Sequence, residues 1–399
     1  MLSQMPNIKL LTFTSLYPNN EQPNHGIFVE NRLRHLLDSG QFECKVIAPV
    51  PWFPFSGSSF GSYGRYAKIP RYENRHGIDI YHPRYLVIPK IGMTAAPLFM
   101  AIALLPVLKT ILKTYPFDII DAHYFYPDGV AAVAIGNILN KPVIVTARGT
   151  DLNLISQFLL PRKQIQWAAR GSTALITVCQ ALKDRLVDLG IEDKKIHTLR
   201  NGVDLDLFCQ PENRGLLKEQ LGLSGTVILS VGQLVRNKGH EVVVNALSYL
   251  PDVTLLIAGC GPEKLSLLQF AQALGVAQRV RFLGNVPHKE LPIYYGAADV
   301  LALASRREGW PNVLLEAMAC GTPVVVSNVG GVAEVVCSPE AGLLVENIEA
   351  EEFARAIKEL LANPLSRQET RQYAEQFSWE ATTNGQLRLF SSLISANKY

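Results

Sequence analysis

Short runs of Val, Ile and Leu recur along the chain, and between most of them apolar residues return every three or four positions. In the first half the runs Lys9–Ser15, Cys44–Val50, Ile78–Tyr81, Asp118–His123, Val143–Ala147, Ala174–Val178 and Lys195–Leu199 read as strands, and the intervals as amphipathic helices. A run that is apolar throughout belongs to a strand buried on both faces, and alternation with helices implies a parallel sheet covered on both sides. The pattern pauses after Asn201-Gly202-Val203-Asp204 in a polar segment ending near Gly215. A second series then follows: Val227–Val231, Thr254–Ala258, Val280–Leu283, Val300–Ala304, Val324–Ser327 and Leu343–Val345. The expected architecture is α/β, with two doubly wound, Rossmann-like domains over 1–204 and 205–377. One stretch breaks the rhythm: Val50–Arg75, rich in Pro, Gly, Ser and aromatics, reads as a long loop or lid.

Composition agrees with this division. A chain of 399 residues exceeds the size at which one core stops growing, so two domains of about 200 residues are expected. With 48% apolar and 18% charged residues the chain is globular rather than disordered, and a net charge of +3 with dispersed basic residues argues against nucleic acid as a partner. The six cysteines lie far apart, without metal-ligand spacing, and read as small core residues in a reducing compartment. No signal peptide is evident near Met1, so a cytoplasmic location is expected. Met93–Leu108 runs sixteen residues without a charge between Lys90 and Lys109, with Lys113 beyond. It fits a buried helix or one lying in a membrane interface, hence a possible peripheral membrane contact.

In doubly wound sheets ligands bind beyond the carboxyl ends of strands, so with two domains the site is expected in the cleft between them. After Val300–Ala304 comes Ser305-Arg306-Arg307-Glu308-Gly309-Trp310-Pro311-Asn312, opening a helix with Pro311 in its first turn. The N–H groups of Asn312, Val313 and Leu314 suit a phosphate. Carboxylates there, Glu308 and Glu316, make sense if they bind hydroxyls of a sugar or ribose. A second Gly-bounded loop, Gly232–Gly239, offers Lys238 and Arg236 to a diphosphate. Gly259 and Gly261 permit close backbone approach, without dinucleotide-fingerprint spacing. In the first half, strand ends deliver His123 and then Arg148-Gly149-Thr150-Asp151, and Gly26 precedes a helix starting near Phe28.

These residues resemble glycosyltransferase family 4, the retaining enzymes of the GT-B fold, over nearly the whole chain. The most specific part is EGWPNVLLEAMACGTPVVVSNVGGVAEVV, from Glu308 to Val336. The Gly232–Gly239 loop, Asn201–Asp204 and Phe377-Ser378-Trp379 are also similar to family features. The resemblance implies that helix 378–399 crosses back onto an acceptor-binding first domain, with the nucleotide-sugar in the second. It implies that Glu316 binds the donor ribose, Glu308 the sugar hydroxyls and Lys238 the diphosphate, with His123 near the donor sugar and Trp310 in the donor loop. Gln233 stands where the family usually has Arg, with Arg236 as a substitute, and Arg148 where it has His; Arg148 and Asp151 are placed with the acceptor or cleft. The opening segment, from Tyr17 to Leu37, is similar to a bacterial subgroup of surface-polysaccharide assembly. Donor and acceptor are thus expected to be a nucleotide-diphosphate sugar, a UDP-sugar favoured, and a glycan or lipid-linked glycan. No metal or other cofactor is expected, and hinges are expected at 201–215 and near Phe377. The alternatives are a nucleotide-sugar epimerase of the same architecture, a dehydrogenase, disfavoured for want of a fingerprint, and a sugar-nucleotide-binding protein that has lost catalysis.

Overall fold

A computed structural model describes residues 7–57, 61–87 and 92–396. The chain forms two compact units, Met1–Arg200 with Glu380–Tyr399, and Asn201–Trp379. The division falls at Arg200, so the segment expected to link the domains, 201–215, lies wholly within the second unit.

Among the described residues the first unit contains ten strands: β1 Ile8–Phe13, β2 Phe42–Ile47, β3 Val50–Pro51, β4 Tyr72–Arg75, β5 Ile78–Tyr81, β6 Arg84–Tyr85, β7 Ile119–His123, β8 Val143–Ala147, β9 Ala174–Thr177 and β10 Ile196–Thr198. Eight form one sheet in the order β10-β9-β8-β7-β1-β2-β5-β4. All pairs are parallel except β4 with β5, an antiparallel edge. Right-handed crossovers put helix Ile27–Leu37 on one face, and Ala96–Thr114, Val130–Leu139 and Leu159–Gly171 on the other. The final helix, Trp379–Ala396, joins the first face. Its Leu389 and Phe390 complete a core with Ile8, Leu10, Leu36, Ile119 and Ile144, and Phe390 meets Phe42 edge-on at 5.9 Å.

The supposed lid is structured where it is described. β3 pairs with β6, Gly61–Lys68 is a helix, and Tyr72–Arg75 is the edge strand β4; residues 58–60 lie outside the described residues. Its aromatics pack on one another, Phe53 against Tyr63 at 5.4 Å and Tyr63 against Tyr66 at 6.0 Å. Met93–Leu108 falls largely within the helix Ala96–Thr114. Met100, Leu104 and Leu108 on its inner side are completely buried in the unit, whereas Lys90 lies outside the described residues.

The second unit holds β11 Thr226–Val231, β12 Val253–Ala258, β13 Val280–Gly284, β14 Val300–Leu303, β15 Val324–Ser327 and β16 Gly342–Val345, in the order β13-β12-β11-β14-β15-β16. All are parallel. In each unit the chain first moves outward from its first strand and later returns to that strand's other side. The reversal points lie between β1 and β7 and between β11 and β14. Connections diverge there, leaving a crevice at the strands' carboxyl ends.

Candidate functional site

At the second unit's reversal point the loops after β11 and β14 run side by side. The Arg306 N–H donates to Asn237 O at 2.8 Å, and the Asn237 side chain donates to Arg307 O at 3.1 Å. Gly239 makes this approach possible: at φ 64° it leaves no room for a side chain, whose Cβ would stand 1.9 Å from Ala304 O. Across the join Lys238 Nζ meets Glu308 Oε1 at 2.7 Å. Both are partly sheltered, and the Lys238 stem lies over Gly232. Two residues that sequence placed in separate loops thus form one ion pair at the crevice.

Gly259 and Gly261 have a different reason from the one expected. A Cβ on either would stand 1.8 Å from Gly232 O or 2.3 Å from Leu234 O, respectively. These glycines let the loop after β12 lie against the loop after β11, with Leu234 N–H donating to Cys260 O at 3.0 Å. Arg236 is not brought to the pair. Its side chain is 89% exposed and stands 3.8 Å from Glu263. Arg236 and Lys238 share a 3₁₀ turn, where residues two apart point about 120° away from each other.

The helix after the Glu308 loop runs Asn312–Ala319, with Pro311 at the N-cap rather than inside the first turn. The Leu314 N–H donates to Pro311 O at 3.0 Å. The expected trio of phosphate donors is therefore reduced to Asn312 and Val313. Trp310 is nearly buried, and its indole N–H donates to Asn201 O at 3.0 Å. It ties the loop after β14 to the Asn201–Asp204 segment. The Asn201 amide also donates to the Asn312 side chain at 3.3 Å, and Val203 N–H donates to Phe377 O at 2.9 Å.

Glu316 has partners that the sequence did not reveal. His288 Nε2 approaches Oε1 at 2.9 Å, and the Tyr295 hydroxyl donates to Oε2 at 2.8 Å. Phe208 packs against both rings, at 5.1 and 5.9 Å. Burial, reinforced by Glu316, raises the Tyr295 pKa well above its ordinary value, so the phenol remains a donor. One lone pair on each carboxylate oxygen is engaged, leaving one on each, a match for two neighbouring hydroxyls.

In the first unit, His123 ends β7 but presents no nitrogen to a ligand. Nε2 lies 3.1 Å from Asp121 Oδ2, and Nδ1 accepts from Arg148 Nη2 at 2.7 Å. Because Arg148 only donates, the imidazole proton belongs on Nε2. Burial lowers the His123 pKa, with Asp121 opposing, so the ring is neutral at pH 7. Burial opposes the Asp121 charge, but His123, Arg32 and Arg148 together hold its pKa below the usual carboxylate range. Arg148 lies 5.1 Å over the Phe28 ring, and burial brings its pKa down to about 9, so it remains charged. Asp151 is fully buried and accepts backbone N–H bonds from Phe125, Arg148, Gly149 and Leu152. It therefore shapes the turn rather than lining an acceptor site. Gly26, φ 68°, sits where a Cβ would meet Leu16 C at 2.3 Å, so it serves chain packing.

Asp128 lies in the helical turn Phe125–Gly129 that follows β7. It is completely buried, accepts from the Ser15 hydroxyl at 2.7 Å, and its other oxygen has no protein partner. Burial pushes its pKa up to about 7. Ser15 follows β1 and Asp128 follows β7, so the pair sits at this unit's reversal point, beside Tyr124 at an unusual φ of 80°.

Residues 27–207 match the model of Glycosyltransferase Family 4, and 213–377 that of Glycosyl transferases group 1. The putative teichuronic acid biosynthesis glycosyltransferase TuaC of Bacillus subtilis is 30% identical over 357 residues, covering 88% of each chain. D-inositol 3-phosphate glycosyltransferase 1 of Catenulispora acidiphila is 29% identical over 316 residues, covering 71% of this chain and 74% of its own. Among solved structures, sucrose-phosphate synthase from Thermosynechococcus elongatus superposes with a TM-score of 0.80 at 21% identity, covering 98% of this chain and all of its own. HepE from Anabaena, in complex with UDP and glucose, gives 0.74 at 22% identity, covering 96% and 100%. The fold and site thus define a GT-B glycosyltransferase, and the chain belongs to glycosyltransferase family 4.

Proposed function

We propose that this enzyme transfers a sugar, with retention of configuration and without a metal ion, from a nucleoside-diphosphate sugar to a glycan or lipid-linked glycan in bacterial surface-polysaccharide assembly. The observation that carries this reading is the Lys238–Glu308 pair at the second unit's reversal point, with Glu316 held by Tyr295 and His288 on the helix that follows. Lys238 and the N–H groups of Asn312 and Val313 bind the diphosphate, Glu308 the sugar hydroxyls, and Glu316 the ribose. The anomeric C–O bond breaks with its electron pair going to the diphosphate. The acceptor hydroxyl attacks from the same face, and its proton passes to a departing phosphate oxygen. Catalysis is then mainly positioning and electrostatic stabilisation.

A uridine nucleotide is the favoured donor, in keeping with the UDP complex of the structurally similar HepE. The acceptor class is in keeping with the teichuronic acid role in the name of the relative TuaC, and the enzyme would act in the cytoplasm. Thermal-shift screening against UDP-, GDP-, ADP- and dTDP-sugars tests the donor, because a ligand that binds only the folded state raises stability by mass action. A shift with UDP-sugars is expected, and none with any nucleotide-sugar would overturn the proposal. Conversion of donor to an altered nucleotide-sugar without an acceptor would identify an epimerase instead.

A further inference from the structure

The last carbonyls of a helix have no partner within it, so something outside must supply one. At the end of Asn312–Ala319, which carries Glu316, the chain itself supplies two: Thr322 N–H donates to Ala317 O at 2.9 Å and Gly321 N–H to Met318 O at 2.8 Å. The next two carbonyls are taken by side chains of a helix far along the sequence, Arg367–Glu375. Arg371 Nη1 donates to Ala319 O at 2.8 Å, and Arg367 Nη2 to Cys320 O at 3.0 Å. Four residues apart, the two arginines lie on one face of their helix.

Both arginines reach further. Arg367 also holds the end of Leu291–Ala297, the helix that carries Tyr295: Nη2 donates to Gly296 O at 3.1 Å and Nη1 to Ala298 O at 3.1 Å. Nη2 meets the Thr322 hydroxyl at 2.9 Å, and that hydroxyl donates in turn to Tyr295 O at 2.6 Å. Arg371 Nη1 donates to Phe208 O as well, and its Nη2 to Leu205 O at 3.0 Å. The Phe208 ring is the one packed against His288 and Tyr295. Burial, with Arg214 nearby, brings the Arg367 pKa down to about 10, so the guanidinium stays charged and suits two negative helix ends. Both helices run into parallel strands, β14 and β15, so their last turns lie on the amino-edge side of the sheet, away from the crevice.

These bonds converge on one interaction. Glu316 stands one turn before Cys320, and Tyr295 one residue before Gly296. The Tyr295–Glu316 bond of 2.8 Å therefore joins the two helices within a turn of the place where Arg367 joins them. Hydrogen bonds are short and directional, so a slip of one helix end past the other misaligns this one. We propose that Arg367 and Arg371 are positioning residues for nucleotide binding, a role that rests on the ribose reading of Glu316 above. They fix the spacing of the two helices and the seat of Phe208, and thereby the orientation in which Glu316 presents its free lone pairs to the ribose. The planar fork of a guanidinium spans carbonyls on two helix ends at once, whereas the point charge of a lysine does not.

The test is titration calorimetry of the full chain with UDP and with 2′-deoxy-UDP, alongside urea midpoints that report folding. Arg367→Lys and Arg371→Lys keep the charge and lose the fork. Each is expected to weaken UDP by about fivefold, short of the roughly tenfold that follows when a charged hydrogen bond is removed outright. Binding of 2′-deoxy-UDP should change less, so the ratio between the two narrows. Should Arg367→Lys not fold, Arg371→Lys carries the test. Arg214→Lys is the structural control, because Arg214 caps the same helix end, donating to Ala297 O at 3.1 Å, and its other partner is Asp299. It should lower the urea midpoint without moving the ratio. A wild-type ratio in both Arg367→Lys and Arg371→Lys, or a ratio narrowed as much by Arg214→Lys, overturns the proposal. Glu316→Gln separates the two readings. A ratio narrowed by Glu316→Gln but by neither arginine variant removes the arginines alone, whereas a ratio left intact by Glu316→Gln removes the ribose role and the arginines with it.

Discussion

Replacing Tyr295 with Phe removes one oxygen from a completely buried ring and leaves its packing against Phe208 in place. That oxygen donates to Glu316 Oε2 at 2.8 Å, and a hydrogen bond to a charged acceptor contributes about 1.5–3 kcal/mol. Part of this is offset because the buried hydroxyl disappears as well. With Oε1 still held by His288 at 2.9 Å, the carboxylate keeps its place but loses its fixed rotation, and its outward lone pairs no longer match two neighbouring hydroxyls. A loss of about 1.4 kcal/mol in nucleotide binding corresponds to tenfold in Kd. Titration calorimetry with UDP and with 2′-deoxy-UDP reads the effect. Tyr295→Phe should weaken UDP about tenfold, weaken 2′-deoxy-UDP less, and so narrow the ratio between them. His288→Gln should narrow it too. If Tyr295→Phe binds both nucleotides as wild type does, Glu316 is not the ribose carboxylate.

Three further expectations follow from separate contacts. Lys238→Ala removes the cation paired with Glu308 and should lower kcat by about 10²–10³, the range for loss of one preorganised charge-stabilising group, while folding stays intact; a near-normal kcat by donor-turnover assay would remove Lys238 from the diphosphate. Asp128 has its pKa raised by burial from 3.8 to about 7, so between those values the folded state holds a proton that the unfolded state has released. Its contribution to stability is full below about pH 4, falls by up to about 4 kcal/mol as pH rises to about 7, and is level above that. In urea titrations Asp128→Asn should lack that decline, and an unchanged pH profile would contradict the assignment. Gly261→Ala places a Cβ 2.3 Å from Leu234 O and should cost about 1–3 kcal/mol through backbone displacement, seen as a lower urea midpoint.

The parts of the fold legible in the sequence are those where burial alone dictates residue type. Val143–Ala147 and Val324–Ser327 are buried on both faces, and their boundaries follow directly from the apolar runs. Tyr72–Arg75 was hidden because an edge strand is half solvated and its residues Tyr, Glu, Asn and Arg carry no apolar run. The expectation of a long irregular loop failed because Pro, Gly and Ser around Phe53 and Tyr63 read as loop punctuation, while the aromatics pack on one another. In the site, Lys238 and Glu308 were legible because each follows a strand in a Gly-marked loop. The partners of Glu316 were not: His288 follows β13 and Tyr295 lies on the next helix, so only the folded sheet brings them to the carboxylate. His123 shows the converse. Its place at a strand end was clear, but the next strand's Arg148 takes the nitrogen that a ligand would need.

The central claim is that the reversal point of the second unit binds the nucleotide of the donor. Amide hydrogen exchange of the full chain with and without UDP tests it most directly, because bound nucleotide suppresses local opening where it makes contact. Slower exchange is expected in 232–240, 286–295 and 305–316. Exchange that is unchanged in those segments at saturating UDP, or slowed only around Ser15 and 123–129, would contradict the account.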